Sequence, residues 1–435
     1  MGNKRNISPW AWVPSLYLAE GLPNVTITAV SVALYTKMGL SVTEIALYTS
    51  LLYLPWVIKP FWSPFVDILK TKRRWILITQ LLIGAGFAGV AFSIPTTFYL
   101  QATIAFFYLL AFSSATHDIA ADGFYMLGLD TNQQAAYVGI RNTFYRVATL
   151  VGQGALLYLA GHLERVTGNI TFAWSTVFFV LAGLFILFHF YHRFVLPKPL
   201  ADIPNTSLKS NDILKEFIET FISFFKKPQI LTALFFLLTF RFAESQLQKL
   251  IIPFLDAPVE KGGLGLTMEN IGIVYGTVGI VALMTGGIIG GITISRGGLK
   301  KWIWPMTLSM ILTCLAFVYL SFNQPESLAV INICVAIEQF GYGFGFTAYT
   351  MFMIYFSEGE RKTSYYAICT GFMALGLTLP GMFAGWMQNL LGYEKFFIWV
   401  MICSIIPIIA VSLLKINPEY GKKSLILRRT VRRAD

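Results

Sequence analysis

The sequence predicts an all-α membrane protein of twelve transmembrane helices arranged as two six-helix bundles. Three observations predict it: more apolar residues than a soluble core can bury, apolar runs of span length, and basic residues gathered on one side. The chain has 435 residues, 56% hydrophobic and 13% charged, and a mean hydropathy of +0.64. Soluble domains carry about 25% charged residues. The surplus apolar surface must therefore face lipid. A hydrocarbon core about 30 Å thick takes about 20 apolar residues per helix, which leaves room for about a dozen spans.

Apolar runs between polar punctuation place the first six spans at 11–35, 42–66, 75–95, 98–127, 135–161 and 172–195. The last six fall at 229–255, 269–294, 302–321, 326–356, 363–389 and 395–415. Short runs bounded by turn signals, as strands require, are absent, which excludes a β-barrel. Residues 1–196 form an N-terminal bundle, 197–227 a linker, and 228–435 a C-terminal bundle with a basic tail. In the linker, Ile213, Leu214, Phe217, Ile218, Phe221 and Phe225 share one helical face, which is expected to lie flat at the membrane interface. Met1 to Trp10 is polar and carries no cleavable signal pattern.

With the N-terminus inside, 24 of the 33 Lys and Arg residues fall on inner segments, among them Arg73, Arg74, Lys300, Lys301 and Arg361. Only Lys37, Arg165, Lys261 and Lys395 fall outside. This bias places both termini in the cytoplasm and requires an even number of spans. It also accounts for the net charge of +11: scattered juxtamembrane cations face lipid headgroups, and nucleic acid is not an expected partner. Cys314, Cys334, Cys369 and Cys403 lie in apolar runs, without metal-ligand spacing, and read as small buried hydrophobes. No metal site is expected.

Ten charges fall within the spans: Glu20, Asp118, Asp122, Glu244 and Glu338 against Lys59, Arg141, Arg146, Arg241 and Lys249. At about 2.5–3.5 kcal/mol each, ten isolated charges would cost about 25–35 kcal/mol. They must pair with one another or face a hydrated cavity.

Asp118 and Asp122, four apart, share a helix face within about 40°. Two close carboxylates disfavour joint ionisation, a property suited to holding one proton. Arg141 and Arg146 point about 140° apart and are expected to serve different partners. Two readings stand for this cluster: proton coupling with an Arg neutralising an Asp or binding an anionic solute group, or a structural ion-pair lock. His117 reads as a proton relay or a structural residue, and not as part of a metal site.

Glu20-Gly21-Leu22-Pro23 reads as a locally opened helix or a mere kink, with Glu20 grouped with the coupling acids. Arg241, Glu244 and Gln248 share a face in span seven. They contact solute, or Arg241 and Glu244 pair with each other. Glu338 and Gln339 precede Gly341, Gly343 and Gly345, which permit close helix approach. Asp67 with Arg73 and Arg74 reads as a gating latch, beside which Lys59 is expected to snorkel.

Three pairs echo across the chain. Arg73-Arg74-Trp75-Ile76 returns as Lys300-Lys301-Trp302-Ile303, 227 positions later. Ala19-Glu20 returns as Ala243-Glu244 after 224, and Tyr137 as Tyr365 after 228. A near-constant offset suggests two six-helix repeats, the plan of the major facilitator superfamily.

Pro60-Phe61-Trp62-Ser63-Pro64 with Asp67, then Arg73-Arg74-Trp75 and Thr79-Gln80, resembles the loop signature of the AmpG-type muropeptide permeases. The stretch from Ser114 to Gly123 is similar to the Ser-Ala-x-x-Asp-Ile-x-x-Asp string of that family and of the related acetyl-CoA transporters. Glu20-Gly21-Leu22-Pro23 resembles its first-span Gly-Leu-Pro. The resemblance covers residues 13–160, and the second half matches in hydropathy and topology. His117 stands where Gln is usual, and the extra spans of some members are absent.

The resemblance implies proton-driven import of anhydromuropeptides across the bacterial inner membrane for cell-wall recycling, with Asp118 and Asp122 matching the paired acids of span four. A monomer is expected, with a disaccharide-peptide solute, the lipid bilayer as surroundings, and the proton gradient in place of a cofactor. Rival readings are a siderophore or organic-anion importer, and a drug exporter, of the same fold. A membrane-embedded enzyme or sensor would need a nucleophile–base pair or metal cluster, and the sequence offers neither.

Overall fold

The structure, a computed structural model, describes residues 7–40, 44, 48–49, 51–203 and 210–422, with backbone alone for 210–214 and 268–269. The start of the second expected span, linker residues 204–209 and the basic tail beyond Lys422 lie outside the described residues. So do the side chains of Ile213 and Leu214.

Among the described residues every regular element is helical. In chain order they are α1 (Val13–Val25), α2 (Ser31–Lys37), α3 (Leu54–Ile58), α4 (Ser63–Leu69), α5 (Lys72–Ser93), α6 (Tyr99–Gly128) and α7 (Thr131–Leu150). Then follow α8 (Leu157–Thr167), α9 (Ile170–Val195), α10 (Ser210–Phe225), α11 (Ile230–Thr239), α12 (Phe242–Asp256) and α13 (Met268–Ile271). The last are α14 (Ile280–Gly297), α15 (Leu299–Leu312), α16 (Leu315–Asn323), α17 (Leu328–Phe356), α18 (Lys362–Cys403) and α19 (Ile405–Ser412).

Eight stretches of described residues are long and apolar enough to cross a bilayer, from Lys72–Ser93 to the composite Lys362–Ser412. The 51 residues of that last stretch would run about 77 Å as one helix, far more than a bilayer needs. Gly392 interrupts it with non-helical backbone, φ 73° and ψ 169°. Expected span one from Val13 on, and span five throughout, are helical but change winding part-way, through π-helical turns at Thr26–Val30 and Val151–Leu156. Large apolar side chains point outward from these helices: Phe92, Leu187, Phe194 and Leu231 expose 69, 66, 76 and 79% of their surface. A water-facing protein does not tolerate so many; lipid solvates them.

The chain divides into two compact units. Unit one comprises Met1–Gly128, Phe144–Ile222 and Gly359–Gly371. Unit two comprises Leu129–Thr143, Ser223–Glu358 and Phe372–Asp435.

In unit one, α5 packs along α6 and α9 around Phe87, Phe107, Phe178 and Phe185, all fully buried. A polar chain also ties four helices: Ser15 of α1, Gln80 of α5, His117 of α6 and His192 of α9. Asp202, from the linker, accepts the free N–H groups of Lys72 and Arg73 at 2.6 and 3.1 Å, capping α5 with a carboxylate where the helix end favours negative charge.

Helix α10 is the amphipathic helix expected in the linker, and part of its apolar surface is packed. Its apolar residues split into two faces. Phe217 and Phe221 stack on Phe65 and Phe61, ring centres 5.3 and 6.1 Å apart. Ile218, Ile222 and Phe225 are left exposed. Ring stacking and the Arg361–Glu216 ion pair hold the helix by side chains that a sequence periodicity cannot distinguish from lipid-facing ones.

In unit two, α17 packs against α14 and α15, and its glycines set the spacing. A Cβ on Gly343 would sit 2.1 Å from the Leu283 carbonyl oxygen of α14. One on Gly341 would sit 2.2 Å from Thr313 Oγ1, beyond the end of α15. The expected close approach is present, and it relies on backbone touching backbone. Gly343→Ala is expected to destabilise the protein by about 1–3 kcal/mol through overpacking. Exposed Gly183, with open space around it, provides the control: thermal unfolding in detergent should move for Gly343→Ala and stay in place for Gly183→Ala. Equal midpoints would refute the packing argument.

Candidate functional site

Unit one buries three acids and a lysine together. Glu20 comes from α1, and Asp118 and Asp122 from consecutive turns of α6. They are 5, 9 and 5% exposed, and one carboxylate oxygen of each lies within 4.8 Å of the others. Lys59, 7% exposed, pairs with Asp118 Oδ2. Tyr17, one turn before Glu20, donates its hydroxyl to Asp122 Oδ1 at 3.1 Å.

Local sequence explains the convergence. Pro55, Pro60 and Pro64 prevent one continuous helix, so the chain runs as α3, a 3₁₀ turn at Lys59–Phe61, and α4. Trp62 Nε1 donates to Thr116 Oγ1 at 3.2 Å, seating this turn on α6. Lys59 is thereby directed inward, and the expected snorkelling does not occur. A lone Lys near a helix end gives no sign of its partner, and the proline punctuation was the available clue.

Glu20-Gly21-Leu22-Pro23 is neither opened nor sharply broken. Helix α1 continues through Pro23 and widens into the π-helical turn at Thr26–Val30. A Cβ on Gly21 would meet Ala148 Cβ at 2.7 Å, so its role is close contact with α7. His117 turns to Gln80, 3.1 Å away. Of the two arginines, Arg141 is buried and belongs to unit two, whereas Arg146 is half-buried and belongs to unit one.

Unit two holds a second buried set. Arg241 makes a two-pronged ion pair with Glu244, Nε to Oε2 at 2.8 Å and Nη2 to Oε1 at 3.2 Å. It also donates to the Tyr342 hydroxyl at 3.1 Å and lies over the Tyr342 and Phe346 rings, 5.4 and 5.2 Å from their centres. Of the two readings open for span seven, mutual pairing is present. The helix opens here rather than in span one: α11 ends at Thr239 and α12 starts at Phe242, with Arg241 in the break and Glu244 in the first turn of α12. A carboxylate near a helix N-terminus is favoured by the unpaired N–H groups there. No Gly or Pro marks this break in the sequence. Gln248 is half-buried on the same helix. Glu338 and Gln339 are 1 and 3% exposed, and Gln339 Nε2 donates to Glu338 Oε2 at 2.8 Å.

In unit one Asp67, Lys72, Glu216, Arg361 and Lys362 help to line a recess of about 320 Å³. Asp67 Oδ1 pairs with Lys72 at 2.7 Å, and Oδ2 accepts the Ser364 N–H at 3.0 Å and its hydroxyl. Arg73 donates from Nε to the Leu196 carbonyl at 3.3 Å. The Arg74 side chain is exposed. Lys72, buried at the head of the basic cluster, is the cation that holds Asp67.

Removing one partner of a buried ion pair costs about 3–5 kcal/mol, because the other is left uncompensated. Lys59→Met is therefore expected to lower the unfolding midpoint in detergent markedly. Lys59→Met with Asp118→Asn is expected to recover most of the loss. A double variant no more stable than the single would refute the pairing.

With this geometry in place, comparison with known proteins is informative. Residues 16–379 match the family model of the Major Facilitator Superfamily. A putative transporter AmpG 4 of Rickettsia conorii is 26% identical over 402 residues, covering 90% of this chain and 92% of that one. The anhydromuropeptide permease of Escherichia coli K12 is 23% identical over 413 residues, 94% of this chain and 80% of the permease. A single-residue variant of the Escherichia coli fucose:proton symporter FucP superposes with a TM-score of 0.70 at 14% identity, over 94% of this chain and 99% of FucP. The proton:xylose symporter XylE bound to 6-bromo-6-deoxy-D-glucose gives 0.62 at 13%, over 97% of each chain. These two show the fold. An all-helical chain with buried charge sets, matched by this family model over most of its length, is a transporter rather than an enzyme, and it belongs to the Major Facilitator Superfamily.

Proposed function

We propose that the protein is a proton-coupled importer of anhydromuropeptides in the bacterial inner membrane, working by alternating access through twelve spans arranged six and six. The division into bundles 1–196 and 228–435, joined by 197–227, and the cytoplasmic placement of both termini are part of this reading.

One observation carries the coupling: three carboxylates converge in a buried pocket beside Lys59. Two carboxylate oxygens within 4.8 Å of each other repel by about 3 kcal/mol or more at an effective dielectric constant of about 20. A proton bound by one of them removes that repulsion. Asp118, Asp122 and Glu20 are the groups assigned to the proton, with Lys59 beside Asp118 and the Tyr17 hydroxyl tying α1 to α6 through Asp122. An acid that gains or loses a proton there changes the charge balance on α1 and α6 together. That is a differential interaction on which a conformational change can run.

The solute assignment draws on the AmpG-type motifs at 60–80 and 114–123 and on the names of the curated relatives. A disaccharide-peptide has sugar faces that stack on aromatic rings, and amides and carboxylates that amide and guanidinium groups recognise. Arg141, Arg146, Arg241, Glu244, Gln248, Glu338 and Gln339 are the residues assigned to solute contact, and Asp67, Arg73 and Arg74 to gating.

The test is uptake by proteoliposomes of labelled N-acetylglucosaminyl-1,6-anhydromuramyl-tripeptide, with a ferric siderophore as competitor for the rival reading. An inward proton gradient should drive accumulation of the muropeptide. Asp118→Asn and Asp122→Asn should each reduce it at least tenfold while membrane insertion stays intact. Full accumulation by both variants would remove the coupling claim, and uptake of siderophore alone would replace the solute. In the same assay Arg141→Ala is expected to weaken the tripeptide-bearing solute at least tenfold more than the peptide-free disaccharide amidated at its lactyl carboxyl, which is neutral. Equal effects on both would make Arg141 structural.

A further inference from the structure

Of the four histidines in the chain, two are fully buried in unit one and joined through one side chain. Gln80 Nε2 lies 2.7 Å from His192 Nδ1 and 3.1 Å from His117 Nε2, and His192 Nε2 lies 3.0 Å from Ser15 Oγ. Gln80, His117 and His192 are each 0% exposed. Apolar side chains would fill this space without difficulty, whereas Gln80 Oε1 and His117 Nδ1 are buried without a hydrogen-bond partner. Each such atom costs about 1–3 kcal/mol. Both atoms are open to a water or a proton that the tie itself does not use.

The chain also has a direction. Contacts between Arg73 and the Leu196 carbonyl, and between Tyr191 and the Ala11 carbonyl, bring the start of α5, the end of α9 and the start of α1 to one end of the unit. Gly128, closing α6, lies against Trp12 at the same end. At 1.5 Å per residue, Ser15 lies about 3 Å from that end, His192 about 5 Å, Gln80 about 12 Å and His117 about 17 Å. Asp118, next in the chain after His117, lies at about 15 Å by the same measure. The polar chain thus starts near this end of the unit and finishes at about the depth of Asp118, the deepest of the three carboxylates.

We propose that Ser15, His192, Gln80 and His117 form the route by which protons pass between this end of unit one and the acid cluster. The proposal rests on the proton-coupling reading above. While the Gln80 amide donates to Nδ1, His192 carries its proton on Nε2; once the amide leaves, the ring takes its other tautomer, accepts a proton on Nε2 and releases the one on Nδ1. With the Gln80 amide swung aside, a bridging water occupies its place between the rings and hands a proton to His117 Nε2. His117 then releases its Nδ1 proton towards the carboxylates. Each ring gains one proton and loses one, so no other reactant is consumed. His189, one turn of helix before His192 but hydrogen-bonded to the Leu77 carbonyl at 2.9 Å, stands off the route.

His192→Gln tests this, because an amide keeps the hydrogen bonds but cannot relay a proton. In proteoliposomes loaded with a pH-sensitive dye, adding N-acetylglucosaminyl-1,6-anhydromuramyl-tripeptide should acidify the lumen of wild type. His192→Gln should do so at least tenfold more slowly, while counterflow of the labelled compound at equal pH stays within twofold. A structural role would slow both alike, and a wild-type proton flux in the variant would overturn the route.

If the wild type moves the solute without protons, the coupling reading fails by itself. The route is then judged by solid-state ¹⁵N NMR of the imidazoles, which four histidines keep assignable. On acidification, wild-type His192 and His117 should protonate together, and His192→Gln should abolish the change at His117. An unchanged His117 response in the variant, or none in wild type, would equally overturn it.

Discussion

A charge buried at the depth of a membrane must be answered by another, and the Lys59–Asp118 pair is where this constraint organises unit one. Its formation requires the chain between α3 and α4 to abandon the α-helix, so that the lysine faces inward, and requires α6 to present its acids at that level. Tyr17 then brings α1 into the same arrangement through Asp122. Four elements that share few sequence features are held in register by one electrostatic requirement. The aromatic core around Phe87, Phe107 and Phe178 supplies cohesion but not this specificity, since apolar packing tolerates many registers and ion pairs tolerate few.

Unit two satisfies the same constraint by different means. Arg241 is surrounded on all sides: a carboxylate in two-pronged contact, a phenol, and two aromatic faces. A guanidinium suits this role because its plane accepts rings while its edge donates hydrogen bonds. The helix breaks at the arginine itself, and the new helix start helps hold Glu244. One unit therefore gathers three carboxylates in one pocket, and the other neutralises its own pair within a single turn. That asymmetry assigns proton handling to unit one in the proposed mechanism.

The end of unit one that carries the linker shows a further use of carboxylates. Asp67 and Asp202 both accept backbone N–H groups at helix starts, of α18 and α5 respectively. Arg361 draws Glu216 of α10 to the same region, with Glu219 3.5 Å away. Linker, loop and helix starts are bound by side chains on one surface rather than by insertion into a core.

The sequence by itself determined the class of the protein. Composition, span-length runs and the one-sided basic residues identify a helical membrane protein, and the motifs at 60–80 and 114–123 pointed to the family. It also identified nearly every buried charge, because a charge in an apolar run is conspicuous whatever its surroundings. What it could not assign was partnership. Lys59 looked like a residue reaching for the surface, Arg241 could equally have met solute or Glu244, and the first span could equally have opened or merely kinked. Pairing depends on the rotation and depth of helices far apart in the chain, and helical periodicity fixes a residue's face without saying what that face meets. Only the tertiary structure decided that Lys59 holds Asp118, that the break falls at Arg241, and that His117 turns to Gln80 and His192. Each of those outcomes is set by distances of a few ångströms between separate helices.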